Sequence, residues 1–388
     1  MIPPQDRSTV EQLRLLLAER VGYELPIDFY AFMARQAQSI CHDHEIADLD
    51  ALLVRLSGEA VNTPLWEHFI SRMTIGESYL FRNPNHIKAL RTTILPHLLK
   101  VAEHRPVHLW SAGCARGEEP YTLAIMLHEL DPQAHERAIR IVATDIDIEA
   151  LQAAKKRLYG PWAFRQTPYH IQRKYFSPQG KQLLLNPKVA AMVDFGYHHV
   201  AADVEMAIFP TGGFDLILCR NVLMYLRTDY RQRAGRVLAQ RLAPGGFLIP
   251  GQVERLEGAD DLLLRSFVAG SAIHMRKDAP APSRAIVDML ATAAPPPPTP
   301  STPPTRPPRP ALRCAWSPPR AARQAPRHPS PTQPPSSTNQ RRAPPRRLSP
   351  VLIPSAPATS RRKWNTISAK VNTTKRSSAA KNSSPSTP

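Results

Sequence analysis

Over the first 75 residues, apolar positions recur every three or four residues. Leu13, Leu16 and Leu17 mark one stripe, Phe29, Phe32, Met33 and Ile40 a second, and Leu49, Leu52, Leu53 and Leu56 a third. Leu65, Trp66, Phe69, Ile70 and Met73 make a fourth. This spacing predicts four amphipathic helices, the first capped by Ser8 or Thr9 and the third ending near Gly58. A connector and a further helix follow across 74–100. Beyond that the pattern changes to short continuous apolar runs, at 107–110, 139–144, 214–219 and 247–250, with helical stretches at 118–130, 148–157 and 230–242. Continuous apolar runs suit strands buried on both faces of a parallel sheet, and their alternation with helices predicts a doubly wound α/β fold. A last strand is expected at 267–275. Residues 158–200 are less regular: a turn at 159–162, a short helix at 171–176, and an antiparallel hairpin pairing 182–185 with 190–195 around Asn186-Pro187-Lys188.

Composition splits the chain. Residues 279–388 hold 26 of the 42 prolines and 18 of the 50 Lys and Arg, with one acid, Asp288. Residues 1–278 carry 32 basic against 31 acidic residues, so the net charge of +18 belongs almost wholly to the tail. A proline-rich segment with few apolar clusters cannot offset its ordering entropy, and the tail is expected to be disordered. Its Arg clusters could attract nucleic acid or acidic membranes, or simply stay solvated. Cys41, Cys114, Cys219 and Cys314 show no CxxC and no His at ligand spacing, which argues against a disulfide framework or a metal site and fits a reducing cytoplasm. The N-terminus has no signal pattern, and no apolar run reaches the ~18 residues of a membrane span.

The stretch 107–130, VHLWSAGCARGEEPYTLAIMLHEL, reads as strand, tight loop, helix. Gly113 and Gly117 stand four apart, and Glu118-Glu119-Pro120 opens the helix. Glycine lets backbone approach a ligand, and the first βα turn of a doubly wound sheet is where nucleotide-like cofactors sit. The spacing is neither GxGxxG nor GxxxxGK[ST]. Two carboxylates at the helix start repel phosphate but suit a cation, and S-adenosylmethionine is a sulfonium with an ammonium group and no phosphate. A βα turn that binds nothing looks the same, so this stretch alone leaves both readings open. Asp145, at the tip of the second strand, is a candidate for a ribose hydroxyl pair, and Asp147 for the cap of the next helix. Arg220-Asn221 end the strand at 214–219, with Tyr225 beyond, where side chains point into the ligand crevice. Arg82 follows Tyr79 and Phe81, with Ser78 nearby, a pattern that also describes a plain surface stack. His198-His199 reads as surface.

Taken in order, TIGESYLFR, WSAGCARGEEPYTLA, ATDID, FDLILCRNVLMYL and LAPGGFLI resemble the CheR-type protein-glutamate O-methyltransferases of bacterial chemotaxis, over roughly residues 10–278. The resemblance implies a helical N-terminal domain over 1–75 and a Rossmann-like methyltransferase domain over 76–278, with a small antiparallel β-subdomain at 175–200. It implies S-adenosylmethionine as cofactor, held by Ser78, Arg82, Glu119, Asp145, Arg220 and Asn221, with the Gly113 turn beneath it. Arg82 and Tyr225 would flank the reacting methyl. The resemblance places Gly76, His199 and Val200 at the cofactor too, but there the chain departs from the family pattern: Gly76 stands where it has Asn and His199-Val200 where it has Asn-Leu, and further on Gly251-Gln252-Val253-Glu254 stands where it has GHSE. The family's N-terminal domain often carries a basic receptor-docking helix, whereas this region is net acidic, residues 1–70 holding 5 Arg and 11 acids.

The implied reaction esterifies a glutamate of a methyl-accepting chemoreceptor. A carboxyl with a pKa near ~4.3 is already ionised at neutral pH, so no general base is needed. Two rival readings remain. One is a nucleic-acid methyltransferase recruited by the basic tail, against which NPPY and a Pro-Cys pair are both missing. The other is a cofactor-binding regulatory or scaffolding relative whose altered motifs have lost catalysis.

Overall fold

The computed structural model describes residues 4–277 apart from His135; the tail at 279–388 lies outside the described residues. Four helices come first: α1 (Pro4–Val21), α2 (Tyr30–Asp43), α3 (Leu49–Gly58) and α4 (Pro64–Met73). Their stripes meet in one core around Leu13, Leu17, Ile40, Leu52, Trp66 and Phe69. Asp48 caps α3 by accepting from the Ala51 N–H at 2.8 Å, and Thr63 precedes a proline-started α4. Helix α1 begins at Pro4, earlier than expected. Thr9 is therefore no cap; its hydroxyl donates to Asp50 at 2.5 Å and ties α1 to α3.

A connector leads to α5 (Pro84–Ala89) and α6 (Leu95–Val101), joined by one π turn over Leu90–Ile94. Pro96 explains the turn: it has no N–H to give to Thr92, and the Leu95 N–H reaches back to the Leu90 carbonyl instead. Then follow β1 (Val107–Ala112), α7 (Glu118–Leu130), β2 (Ile139–Asp145) and α8 (Ile148–Lys156). The middle of the chain gives β3 (Leu158–Tyr159), α9 (Tyr169–Tyr175), β4 (Phe176–Gln179), β5 (Gln182–Leu185), α10 (Pro187–Ala190) and β6 (Val193–Tyr197). The last part gives β7 (Phe214–Cys219), α11 (Thr228–Arg241), β8 (Leu242–Pro250), β9 (Leu263–Val268) and β10 (Ser271–Arg276).

The main sheet has the order β6-β2-β1-β7-β8-β10-β9. Its first five strands are parallel, and β10 runs antiparallel to both neighbours. The chain winds outward from β1 to β6 on one side and from β7 on the other, so the switch point lies between β1 and β7. Both faces are covered, as the continuous apolar runs require: Val107 and Leu109 face the core shared with α7, while Trp110 and Ala112 face the core shared with α11. The charge buried in β7 is compensated, since Asp215 accepts from the His108 N–H at 2.9 Å and from Arg105 at 2.6 Å. The fold is the expected Rossmann-like α/β sheet preceded by helices.

Two pairings differ from expectation. Residues 182–185 do not pair with 190–195. Strand β5 instead pairs back onto β4 and β3 in a small separate sheet, turning at Gly180 (φ +61), while β6 joins the main sheet beside β2. Asn186 is the reason: its side chain accepts from the Lys188 N–H and, with Pro187, starts α10 rather than a hairpin loop. The small sheet thus spans 158–185, not 175–200. The stretch 267–275 is likewise two strands, because Ala269 and Gly270 both take positive φ and close a β9–β10 hairpin.

Candidate active site

The carboxyl ends of β1, β2, β6 and β7 open into one cleft of about 900 Å³ of empty space, solvent mouth included. This is the crevice that the switch point creates. Its floor is the turn after β1. Gly113 has φ +80, and a Cβ there would lie 2.2 Å from Val222, so only glycine lets the turn pass under the loop after β7. Gly113 and Cys114 donate main-chain N–H groups to the Thr144 carbonyl, and Ala115 donates to Asp145 at 2.8 Å. The second Asp145 oxygen accepts from the Asp147 N–H at 2.9 Å. Desolvation pushes Asp145 up to about 6, against the pull of those N–H groups. Asp147 caps α8 as expected and also takes the Ser71 and Thr74 hydroxyls from the α4 end.

The two glutamates at the start of α7 do different things. Glu119 faces the cleft, accepts from Ser111 at 2.7 Å and is paired with the Arg220 Nε at 2.5 Å, both side chains being almost fully buried. Glu118 is buried behind the lining beside Ser78, and desolvation raises its pKa. The expected pair of carboxylates facing a cation is therefore one carboxylate coupled to one guanidinium. Arg220 also donates to the Arg82 carbonyl at 2.8 Å and lies 3.3 Å from the His86 Nδ1. Burial first, and the Arg220 charge second, push His86 down to about 4.

Gly76, Ser78 and Arg82 enter from the connector before α5, and Asn221 and Tyr225 from the loop after β7. Arg82 donates to the Glu77 carbonyl at 2.6 Å and lies over the Tyr79 ring. A Cβ on Gly76 would meet nothing within 4 Å. Asn221 has φ +60, and Phe81, Asn83 and Ala115 around the site are also in the left-handed region. Such backbone costs about 1–3 kcal/mol per residue and persists where surrounding structure imposes it. For Asn221 the imposing group is Glu254, whose carboxylate accepts the N–H groups of Asn221, Met224 and Gly251 at 2.7, 3.1 and 2.8 Å.

His199 and Val200 line the cleft, so this stretch is not surface. The His199 ring, however, is occupied by the protein: Nε2 reaches the Val21 carbonyl at 2.8 Å and Nδ1 accepts from the Ala201 N–H at 3.0 Å. His198 is buried against Trp110 and Phe209. Sequence reasoning missed Tyr23, His86 and Glu254 as parts of the site. Gly22 marks the end of α1 visibly enough, but nothing local aims Tyr23 at a cleft. Among the described residues no cluster of His, Cys, Asp and Glu could hold a metal ion, and no helix is long and apolar enough to cross a membrane.

The family model for the CheR methyltransferase SAM-binding domain matches residues 76–268. The chemotaxis protein methyltransferase of Listeria innocua is 32% identical over 256 residues, covering 66% of this chain and 93% of that one. The chain belongs to the CheR methyltransferase family. The chemotaxis protein methyltransferase of Listeria monocytogenes is 29% identical, with 66% and 93% of the two chains covered. Chemotaxis protein methyltransferase 1 of Pseudomonas aeruginosa is 27% identical, with 65% and 91% covered. The cofactor of this CheR protein is S-adenosylmethionine, and the cleft has the chemistry to hold it. Asp145 offers paired acceptors for a diol, the Gly113 turn leaves a cradle with no side chain, and Glu119 beside Arg220 offers opposite charges to a zwitterionic amino-acid end.

Proposed function

We propose that this CheR protein methylates glutamate side chains of a chemoreceptor, forming methyl esters. The observation that carries this reading is that Arg82 and Tyr225, a cation and a phenol, both line the cleft, while its carboxylates are engaged by the protein: Glu77 is paired with Arg165, and Asp147 takes the Ser71 and Thr74 hydroxyls. A hydroxyl or amine acceptor would need a base to take its proton. A carboxylate needs none, since its pKa near ~4.3 leaves it ionised. Glu119 is engaged by Arg220, Asp145 by two main-chain N–H groups, and His199 by Val21 and Ala201, so none of the three is poised as a base. The names of the three relatives given above, each a chemotaxis protein methyltransferase, support a chemoreceptor as the acceptor.

The roles of the chain's own residues follow. Asp145 holds the ribose hydroxyls. Glu119 and Arg220 hold the ammonium and carboxylate of the methionine end, with Gly76 and Ser78 along the wall and Asn221 kept in place by Glu254. Arg82 draws the acceptor carboxylate in and fixes its direction; Tyr225 closes the other side and excludes water. When bound, the cofactor supplies a methyl on a sulfonium, so that as the new C–O bond forms the C–S electron pair stays on sulfur, leaving S-adenosylhomocysteine and no proton to move. Alignment of this kind contributes about 7–11 kcal/mol in well-oriented reactions. The test is transfer of labelled methyl by the full chain to receptor-containing membranes. Base-labile label on the receptor is expected. Base-stable label, label on nucleic acid, or cofactor binding with no transfer would each overturn the assignment.

A further inference from the structure

The segment between α1 and α2 does not stay with the helices that flank it. The Val21 carbonyl is met by His199 Nε2 at 2.8 Å. The Gly22 carbonyl accepts from the Arg227 N–H at 2.8 Å, and the Glu24 N–H donates to the Tyr225 carbonyl at 2.7 Å. These two bonds make an antiparallel bridge between Tyr23 and Leu226. Gly22, at φ +72, is wedged so closely against Tyr230 that a Cβ would lie 2.1 Å from its ring, and the Tyr230 hydroxyl donates to the Glu19 carbonyl at 3.2 Å. Residues 21–24 are therefore pinned across the cleft from both ends.

Tyr23 sits at the centre of this strap. It is 6% exposed and lines the cleft, and its ring stacks on Tyr225 with centroids 5.6 Å apart and planes at 26°. Its hydroxyl accepts from the Ile75 N–H at 2.9 Å, the residue before Gly76 in the connector that carries Ser78 and Arg82. Tyr225 itself ends a single 3-10 turn, Leu223–Tyr225, beside the exposed Met224. So short a turn has few bonds of its own to fix a side chain. Both the carbonyl and the ring of Tyr225 depend on the strap.

We propose that Tyr23 is a positioning residue for methyl transfer: its ring backs Tyr225, its hydroxyl anchors the Arg82 connector, and the strap at 21–24 makes the N-terminal helices part of the catalytic cleft. This rests on the reading of Arg82 and Tyr225 as the residues that flank the methyl. Displacing reacting groups by about 1 Å can cost about a hundredfold in rate, so a wall that fixes both flanks has a large effect without touching the acceptor.

The test uses the full chain with Tyr23→Phe and Tyr23→Leu. The leucine fills the buried space but removes the flat face and the hydroxyl; Tyr23→Met serves instead if the leucine variant does not fold. S-adenosylhomocysteine affinity is measured by calorimetry and turnover at saturating cofactor. For Tyr23→Leu, affinity should fall about tenfold and turnover about tenfold to a hundredfold, with the acceptor KM changed less than about threefold. Tyr23→Phe, which keeps the stack but loses the anchor on the Ile75 N–H, should fall between Tyr23→Leu and the wild type in both. Wild-type values in Tyr23→Leu, or equal losses in the two variants, would overturn the proposal. If the wild-type chain methylates no receptor, the acceptor assignment fails and the strap is judged on affinity alone, where an unchanged value for Tyr23→Leu overturns it.

Discussion

The two walls of the cleft are built differently. On the sheet side, Gly113, Ala115 and Asp145 are held by main-chain hydrogen bonds between two adjacent parallel strands and their turns. On the opposite side, Tyr23, Arg82 and Tyr225 come from three segments far apart in the chain, and they are held through the strap, the Glu77 carbonyl and the Tyr23 ring. The first wall is rigid because the sheet is rigid. The second holds only while two regions of the chain stay docked. The sheet side should therefore act chiefly on cofactor affinity, and the strap side on transfer more than on affinity.

The largest effect should come from the ion pair that joins the walls. Arg220→Met leaves Glu119 buried and uncompensated, which costs about 3–5 kcal/mol; urea unfolding should show it, and an unchanged midpoint would mean the pair is not desolvated. Next comes Asp145→Ala, which should reduce S-adenosylhomocysteine affinity by about a hundredfold, since hydrogen bonds to a charged group are worth about 1.5–3 kcal/mol each. Its pH dependence has a definite sign. The folded carboxyl is raised from 3.8 to about 6, so affinity should weaken as pH falls through about 6. The same shift favours the free folded state on acidification across that window, so weaker binding there is not unfolding. Asp145→Asn should bind weakly and lose this pH step.

Arg82→Ala tests the other wall. Turnover should fall by up to about a hundredfold while S-adenosylhomocysteine affinity changes much less. The reverse pattern would make Arg82 a cofactor residue and erase the distinction between the walls. The smallest effect is expected at Gly76→Asn. Open space surrounds that Cβ position, and one added neutral hydrogen bond is worth about 0.5–1.5 kcal/mol, so affinity should rise about threefold. A clear loss would show that the connector needs glycine there.

Much of this molecule could be read along the chain because the reasons were local. The four helical stripes, the acid-started α7, the Asp147 cap and the buried β7 follow from periodicity, capping and burial, each acting within a few residues. Whatever depended on partners distant in sequence could not be read that way. The β5 run pairs upstream with β4 instead of downstream, because Asn186 and Pro187 start a helix. Glu119 is bound by a guanidinium 101 residues away, and His199 spends its ring on the α1 end, 178 residues away. The sequence by itself determined the central strands β1, β2 and β7, the glycine turn and the carboxylate at the tip of β2, because each is specified by its own neighbours. Only the tertiary structure decided which charges are already paired and that Tyr23 reaches the cleft, because hydrogen bonds and ring contacts depend on proximity in space, not on sequence spacing.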